Sequence, residues 1–99
     1  MEIKPGKRTI VKRAKDIPFS RLDDELLAID SQAGYCYSLN ETAGLVWDLL
    51  ATPVSIEAIC SQLRRQYAVD EATCLHEVTI LIKALHGAEL AEVCDATGG

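Results

Sequence analysis

Apolar and polar residues alternate along three short stretches in the first half of the chain. These stretches are residues 17–21, 25–30 and 35–39. An alternation of period two is typical of a β-strand that buries one face. Residues 31–34 between the second and third stretches are turn-like, and Gly34 can adopt a positive φ there. The pattern therefore predicts an antiparallel meander of three strands.

The spacing of apolar residues changes to the helical period directly after the third strand. The first predicted helix follows Asn40 and the second follows Ser55, two residue types that favour the N-cap position. The apolar stripes are Ala43, Val46, Trp47 and Leu50 in the first helix, and Ile56, Ile59, Cys60, Leu63 and Tyr67 in the second. Each of these helices therefore has one face for a core.

The third predicted helix, residues 71–86, has a wider apolar face. It opens with the acidic residues Asp70 and Glu71 at the positive end of the helix dipole, and we place Gly87 in the C′ position. Its two overlapping seams are Cys74, Val78, Leu81 and Leu85, and Leu75, Val78, Ile82 and Leu85. Because a surface helix needs only one stripe, the second seam indicates either deeper burial or a second surface to cover.

Three strands followed by three helices indicate an α+β domain, and the order of elements resembles a winged helix-turn-helix. The 99 residues are enough for one domain. We assign residues 17–93 to this domain, residues 1–16 to a basic, flexible N-terminal arm and residues 94–99 to a tail. The arm holds six lysines or arginines against two acidic residues, whereas the whole chain has a net charge of −5.

The distribution of charge argues against a nucleic-acid partner. The third helix would be the recognition helix of a winged-helix protein, yet its only cation is Lys83, alongside Glu71 and Glu77. Because a duplex-binding face needs several cations against phosphate, we expect no nucleic acid. A winged-helix DNA-binding regulator remains the alternative, and the basic arm is its sole support.

The sequence also gives no indication of a membrane segment or a secretory signal. No apolar run approaches the length that spans a bilayer, and the N-terminal residues include no apolar core of a signal peptide. We therefore expect a cytoplasmic protein without a membrane partner.

The sequence contains no recognisable combination of catalytic residues. Cys74 and His76 lie two positions apart on one predicted helix, where side chains do not face each other. The four cysteines include no CxxC pair, and no spacing is typical of a metal site. We therefore expect a protein that is not an enzyme and that binds neither a metal nor a cofactor.

The two outer strands of the predicted meander differ in how their edges are protected. The first strand carries Pro18 and Arg21, which block pairing with another strand. The third strand, residues 35–39, has no proline, charge or glycine. If the wide face of the third helix lies beside it, the two form the geometry for adding an extended peptide as a further strand. A second copy of the chain could use the same edge to form a homodimer.

The run from Gly34 to Leu50, G-Y-x-Y-x-L-N-x-T-A followed by W-x-L-L, resembles the PqqD-like family. The similarity extends over about residues 17–93. Members of that family are precursor-peptide recognition elements in pathways that make and modify ribosomal peptides. The resemblance implies that a leader peptide adds as a fourth strand to the third strand and contacts the third helix.

Within this family the chain is most similar to the stand-alone leader-binding proteins of lasso-peptide pathways. The similarity implies two partners, a precursor peptide, often with a Tyr-x-x-Pro motif in its leader, and a leader peptidase or other modifying enzyme. The alternative is a PqqD-type peptide chaperone in pyrroloquinoline quinone biosynthesis. The chain departs from that member because Leu50 is followed by Ala51, Thr52 and Pro53 instead of a glycine-containing turn.

The resemblance places the leader-peptide site on the third strand and the third helix. It assigns the site to Tyr35, Cys36, Tyr37, Ser38, Leu39, Cys74, Glu77, Val78, Leu81, Ile82 and Leu85. Leu39, Val78 and Leu85 also fit the core of the domain. Tyr35 and Cys74 lie near the ends of their elements, within easier reach of a ligand.

Overall fold

The computed structural model describes residues 5–94 of the chain. Its strands are β1 (Ile10–Arg13), β2 (Phe19–Leu22), β3 (Glu25–Asp30), β4 (Tyr35–Leu39), β5 (Val54–Ser55) and β6 (Ala91–Cys94). Its helices are α1 (Glu41–Leu49), α2 (Ile56–Gln66) and α3 (Glu71–Gly87). The antiparallel sheets and the three helices confirm the predicted α+β class.

The predicted meander is present as a three-stranded sheet in the order β2-β3-β4. β3 and β4 have the predicted bounds, and β2 begins two residues later than predicted, at Phe19. Ile17 is already buried before the strand begins. The Pro18 carbonyl accepts a hydrogen bond from Ile29 N–H at 2.9 Å, so pairing with β3 starts at a residue that cannot donate.

A second antiparallel sheet in the order β5-β1-β6 was not predicted. Its central strand, β1, lies within residues 1–16, which the sequence analysis placed outside the domain as a basic arm. Val11 is fully buried there, while Lys12 points outward and forms an ion pair with Glu92 on β6 at 3.3 Å. A four-residue strand with one buried apolar side chain is too short for its alternation to stand out in the sequence.

Arg13 attaches β1 to α1. Its Nε and Nη2 donate hydrogen bonds to the Trp47 carbonyl at 3.1 and 2.9 Å. The guanidinium also lies over the Trp47 ring, 4.5 Å from the ring centre, and 5.2 Å from the centre of the Phe19 ring. An arginine that the sequence places in a solvated arm therefore forms a cation–π stack in the structure.

Residues 1–4 of the predicted arm and residues 95–99 of the predicted tail lie outside the described residues. Cys94, the first residue of the predicted tail, is the last residue of β6.

The predicted N-caps are confirmed. The side chain of Asn40 accepts a hydrogen bond from Ala43 N–H at 2.8 Å, and that of Ser55 accepts one from Ala58 N–H at 3.1 Å. These bonds satisfy backbone donors that the first turn of a helix leaves without partners.

The end of α3 differs from the prediction. Gly87 is the last helical residue, and the residue with positive φ is Glu89, at 62°. Leu90 N–H donates to the Leu85 carbonyl at 2.8 Å and Glu89 N–H donates to the His86 carbonyl at 3.0 Å. This is a Schellman motif in which Glu89, not Gly87, occupies C′.

The two predicted seams of α3 prove to be one core seam with half-buried flanks. The seam consists of Cys74, Val78, Ile82 and Leu85, all buried. Leu75 and Leu81 lie on opposite sides of it and are only partly buried. α3 therefore supports the core with one face and lines two separate surface depressions with its flanks.

Candidate functional site

The outer edge of β4 has no strand partner within residues 5–94. The bond from Ile29 N–H to the Pro18 carbonyl shows that the backbone groups of Ile29 face β2. Backbone groups of successive strand residues face opposite sides, and Ile29 is opposite Cys36 in the register. The N–H and C=O of Cys36 therefore point away from β3, and the same holds for Ser38, which is opposite Leu27.

The side chains of β4 divide between the two faces of the sheet. Leu39 is buried and Tyr37 is half-buried against the core, whereas Tyr35 on the same face is 63% exposed. Cys36 and Ser38 lie exposed on the other face. The free edge thus combines two outward-facing peptide groups with an exposed aromatic side chain at its start.

Asp30 holds the turn that leads into β4. Its Oδ1 accepts a hydrogen bond from Ala33 N–H at 3.1 Å, and its carboxylate forms an ion pair with Lys15. Its backbone carbonyl accepts from the N–H of Gly34, whose φ is +79°. The Lys15 ammonium and the Ala33 N–H hold the pKa of Asp30 below its usual value. The start of the free edge is therefore fixed by a buried charged side chain.

An apolar cavity of about 240 Å³ lies between α1, the end of α2 and α3. Its lining residues are Thr42, Val46, Leu63, Tyr67, Val69, Cys74, Glu77, Val78 and Leu81. Four of them, Cys74, Glu77, Val78 and Leu81, belong to the site predicted from the sequence. The structure brings these four together on one flank of α3, with Glu77 as the charged residue among them.

The wide face of α3 was predicted to lie beside β4, and the cavity on this face is completed by residues of α1 and α2. None of the described β4 side chains lines it, and the first turn of α1 contributes Thr42 instead. Because α1 begins immediately after Asn40, the cavity starts three residues beyond the end of β4. The edge and the cavity are therefore successive features along the chain.

Tyr67 contributes both to the cavity wall and to its polar surroundings. Its hydroxyl donates a hydrogen bond to Glu41 Oε1 in the first turn of α1, at 3.1 Å. Burial of the ring and the nearby Glu41 carboxylate raise the pKa of Tyr67. This bond connects the end of α2 to the start of α1 across the cavity.

Five residues of the predicted site are buried in the core, and of these Cys74 and Val78 also line the cavity. Leu39, Ile82 and Leu85 are buried and line none of the depressions described for this surface. Five other residues that line the cavity were not predicted from the sequence: Thr42, Val46, Leu63, Tyr67 and Val69. Tyr67 is the one with a recognisable signal, since a tyrosine at the end of an apolar stripe combines an apolar ring with a polar tip.

The buried cysteines have the properties of core residues. Cys74 Sγ lies 3.9 Å from the Cys60 carbonyl oxygen. Burial, together with the neighbouring Cys74, raises the pKa of the Cys60 thiol to about 12. Such a thiol does not form the thiolate that a nucleophile requires near neutral pH.

Residues 5–94 contain no group of three or more His, Cys, Asp or Glu side chains placed to hold a metal ion. No helix within this range is both long and apolar enough to cross a bilayer.

Three of the five cations within residues 5–16 of the predicted basic arm form ion pairs. Lys7 contacts Glu71 Oε1 at 2.6 Å, Lys12 contacts Glu92, and Lys15 contacts Asp30. Arg13 is held on Trp47. The arm was the only support for DNA binding, and these ion pairs neutralise part of its charge.

The described chain is a small α+β domain in which the free edge of β4 is followed along the chain by an apolar cavity. The family model described as "Coenzyme PQQ synthesis protein D (PqqD)" matches residues 25–91. The chain belongs to this PqqD family, which confirms the resemblance seen in the sequence.

A solved structure agrees with this assignment. The structure titled "TbiB1 in Complex with the TbiA(beta) Leader Peptide" matches with a TM-score of 0.74 and 26% sequence identity. The match covers 82% of this chain and 94% of that one. A comparison with curated proteins gave no match.

Proposed function

We propose that the chain binds the leader segment of a ribosomally made precursor peptide by β-strand addition to β4. The observation that carries this proposal is the free edge at Cys36 and Ser38, with no proline, glycine or charge within the strand. Support comes from the family match and from the similarity to TbiB1, whose structure contains a leader peptide.

The backbone of β4 alone accounts for only part of useful affinity. Cys36 and Ser38 offer two N–H and two C=O groups, and four hydrogen bonds contribute about 2–6 kcal/mol. Micromolar binding requires about 8 kcal/mol, and ordering an extended peptide costs several more. Side-chain anchors must supply the difference.

The apolar cavity is suited to one such anchor. Its volume of about 240 Å³ exceeds the roughly 150 Å³ of an engineered protein cavity that holds benzene. An aromatic side chain therefore fits among Val46, Val78 and Leu81. Glu77 and the Tyr67 hydroxyl can meet a polar group at its end. Burying such a side chain contributes about 1.5–3 kcal/mol.

The role that follows is delivery instead of catalysis. In this proposal the chain holds the leader while a leader peptidase or another modifying enzyme acts on the precursor. The similarity of the chain to the stand-alone leader-binding proteins of lasso-peptide pathways favours a lasso-peptide pathway. A PqqD-type chaperone role in pyrroloquinoline quinone biosynthesis is the alternative within the same family.

The test uses proline substitutions at the two outward-facing positions. Cys36→Pro and Ser38→Pro each remove one free donor without removing a bond to β3. We expect each variant to weaken binding by about tenfold or more, measured by fluorescence polarisation with labelled leader peptides, a Tyr-x-x-Pro set first. The matched control is Arg21→Pro, which removes an outward-facing N–H from the opposite edge of the same sheet and should leave the affinity unchanged.

Unchanged affinity in both β4 variants would refute strand addition. The same edge could instead pair with a second copy of the chain. Sedimentation across a range of concentrations, with and without peptide, distinguishes the two, because a peptide that occupies β4 should dissociate such a dimer.

A further inference from the structure

β6 provides a second unpaired strand edge, on the other sheet. Ala14 N–H donates to the Leu90 carbonyl at 2.9 Å, so the pairing between β1 and β6 is hydrogen-bonded at this position. With Val11 opposite Val93 and Arg13 opposite Ala91, the alternation turns the backbone groups of Ala91 and Val93 away from β1. No strand within residues 5–94 pairs with that side of β6.

This edge carries one charged residue, Glu92, and otherwise lacks the usual protection against pairing. β6 contains no proline, glycine or lysine, and its sequence is Ala-Glu-Val-Cys. A shallow depression of about 370 Å³ runs along it, lined by Ala14, His86, Glu89, Ala91, Glu92, Val93 and Cys94. Half-buried Val93 and buried Ala91 give its floor an apolar character, while Glu89 and Glu92 are exposed at its margin.

The charges on β6 identify the type of strand that fits. Glu92 is opposite Lys12 on the inner side and forms an ion pair with it at 3.3 Å. In an antiparallel addition with Ala91 and Val93 hydrogen-bonded, the residue opposite Glu92 on the outer side lies close to it. A basic residue there would complete a row of alternating charges, from Lys12 through Glu92 to the incoming cation.

A second copy of the chain fits this edge poorly. In the two-fold register that pairs Ala91 of one copy with Val93 of the other, and so uses both outward-facing residues of each β6, the Glu92 carboxylates of the two copies would lie directly opposite each other. Like charges at such a position destabilise a strand pair. The charge pattern therefore favours a different chain with a cation at the central position.

We propose that the β6 edge is a second docking site, which takes an extended segment of a partner protein with a lysine or arginine opposite Glu92. The incoming strand would place apolar side chains on both sides of that cation against the depression lined by Ala91 and Val93. Because β6 and β4 belong to different sheets, both edges can be occupied at once. The proposal does not depend on what binds at β4.

The experiment is a titration of the full, 15N-labelled chain followed by NMR. The probe is the peptide acetyl-Thr-Val-Lys-Val-Thr-amide, and its matched control has glutamate in place of lysine. Since only a few backbone bonds form, we expect roughly millimolar affinity. The lysine peptide should shift the amide resonances of Ala91 and Val93 in a saturable way, and the glutamate peptide should bind at least roughly threefold more weakly. In the Glu92→Gln variant the two peptides should bind within about twofold of each other.

Three outcomes would overturn the proposal. One is saturation at the amides of Cys36 and Ser38 with no change at β6, which would show that strand peptides use β4 alone. Another is equal binding of the lysine and glutamate peptides to the unmodified chain. The third is a concentration-dependent change at Ala91 and Val93 without peptide, which would assign the edge to a second copy.

Discussion

Cys36 and Tyr37 are neighbours in β4, yet their backbone groups face opposite sides of the strand. Tyr37 is opposite Ala28, whose backbone groups face β4, so it contributes to the pairing within the sheet. Cys36 is opposite Ile29, which pairs with Pro18 instead. The sequence shows that β4 lacks blocking residues, but the direction of each N–H follows from the register.

Leu81 and Ile82 are adjacent on α3 but differ in burial. Leu81 is half-buried and lines the cavity, whereas Ile82 is fully buried in the core. Ile82→Ala should lower the free energy of unfolding by about 2–5 kcal/mol. Leu81→Ala should cost clearly less stability and should weaken leader binding by about tenfold, because an anchor loses part of its contact surface. Urea unfolding and fluorescence polarisation measure the two effects, and equal binding by Leu81→Ala and the unmodified chain would exclude the cavity as an anchor site.

Asp30 makes the stability depend on pH in acid. Because its pKa is lower in the folded chain than the ordinary 3.8, its contribution is present above that value and is lost as pH falls through the folded pKa. Asp30→Asn should therefore be less stable than the unmodified chain at pH 7, and the difference should shrink below about pH 4. Urea unfolding at a series of pH values tests this expectation. A difference that stays constant down to pH 2 would mean that the charge of Asp30 does not contribute.

At the level of elements, the observed C-terminus of α3 differs from the one predicted from the sequence. Gly87 is helical, and a Cβ added there would meet nothing within 4 Å. Gly87→Ala should therefore raise the free energy of unfolding by about 0.5–1 kcal/mol. If Gly87 occupied C′ with positive φ, as predicted from the sequence, the same change would be destabilising.

Glu89 is the complementary test at the same helix end. Its φ of 62° is unfavourable for a residue with a Cβ. Glu89→Gly should stabilise the chain by about 1 kcal/mol in urea unfolding. Stabilisation by both changes would support the observed Schellman motif, and destabilisation by Glu89→Gly would contradict it.

The strands differ in how far the sequence predicted them. β3 and β4 have six and five residues, alternate clearly and are joined by a turn, so local pattern located them. β1 and β6 each have four residues and pair with each other across most of the chain length. No local signal connects residues so far apart, and the pairing therefore escaped prediction.

For the whole molecule, β1, which lies within the segment predicted as an arm, is part of the domain. β1 is the central strand of its sheet, Val11 is fully buried and Arg13 contacts Trp47. Deleting residues 1–14 should therefore abolish cooperative unfolding, measured by circular dichroism in urea. The control Lys12→Ala removes an exposed charge and should change stability by less than about 0.5 kcal/mol. If the truncated chain unfolds at the same urea concentration as the full one, these residues do not contribute to the stability of the domain.

The two sheets make most of their helix contacts with different helices, although Arg13 of β1 also bonds to Trp47 of α1. α1 contacts β3 and β4, while α2 and α3 contact β5 and β6, respectively. The free edges of β4 and β6 belong to different sheets. This separation is the structural basis for proposing one edge for a leader peptide and the other for a partner protein.

The sequence by itself determined the α+β class, the three helices with the N-caps of the first two, and an edge strand at residues 35–39 without blocking residues. These features depend on local periodicity and on the chemistry of single side chains. Only the tertiary structure decided that β1 joins β6, that the cavity is walled by α1 and Tyr67, and which N–H groups of β4 are free. Each of these depends on contacts between segments far apart in the chain, and no local pattern specifies their register or their distance.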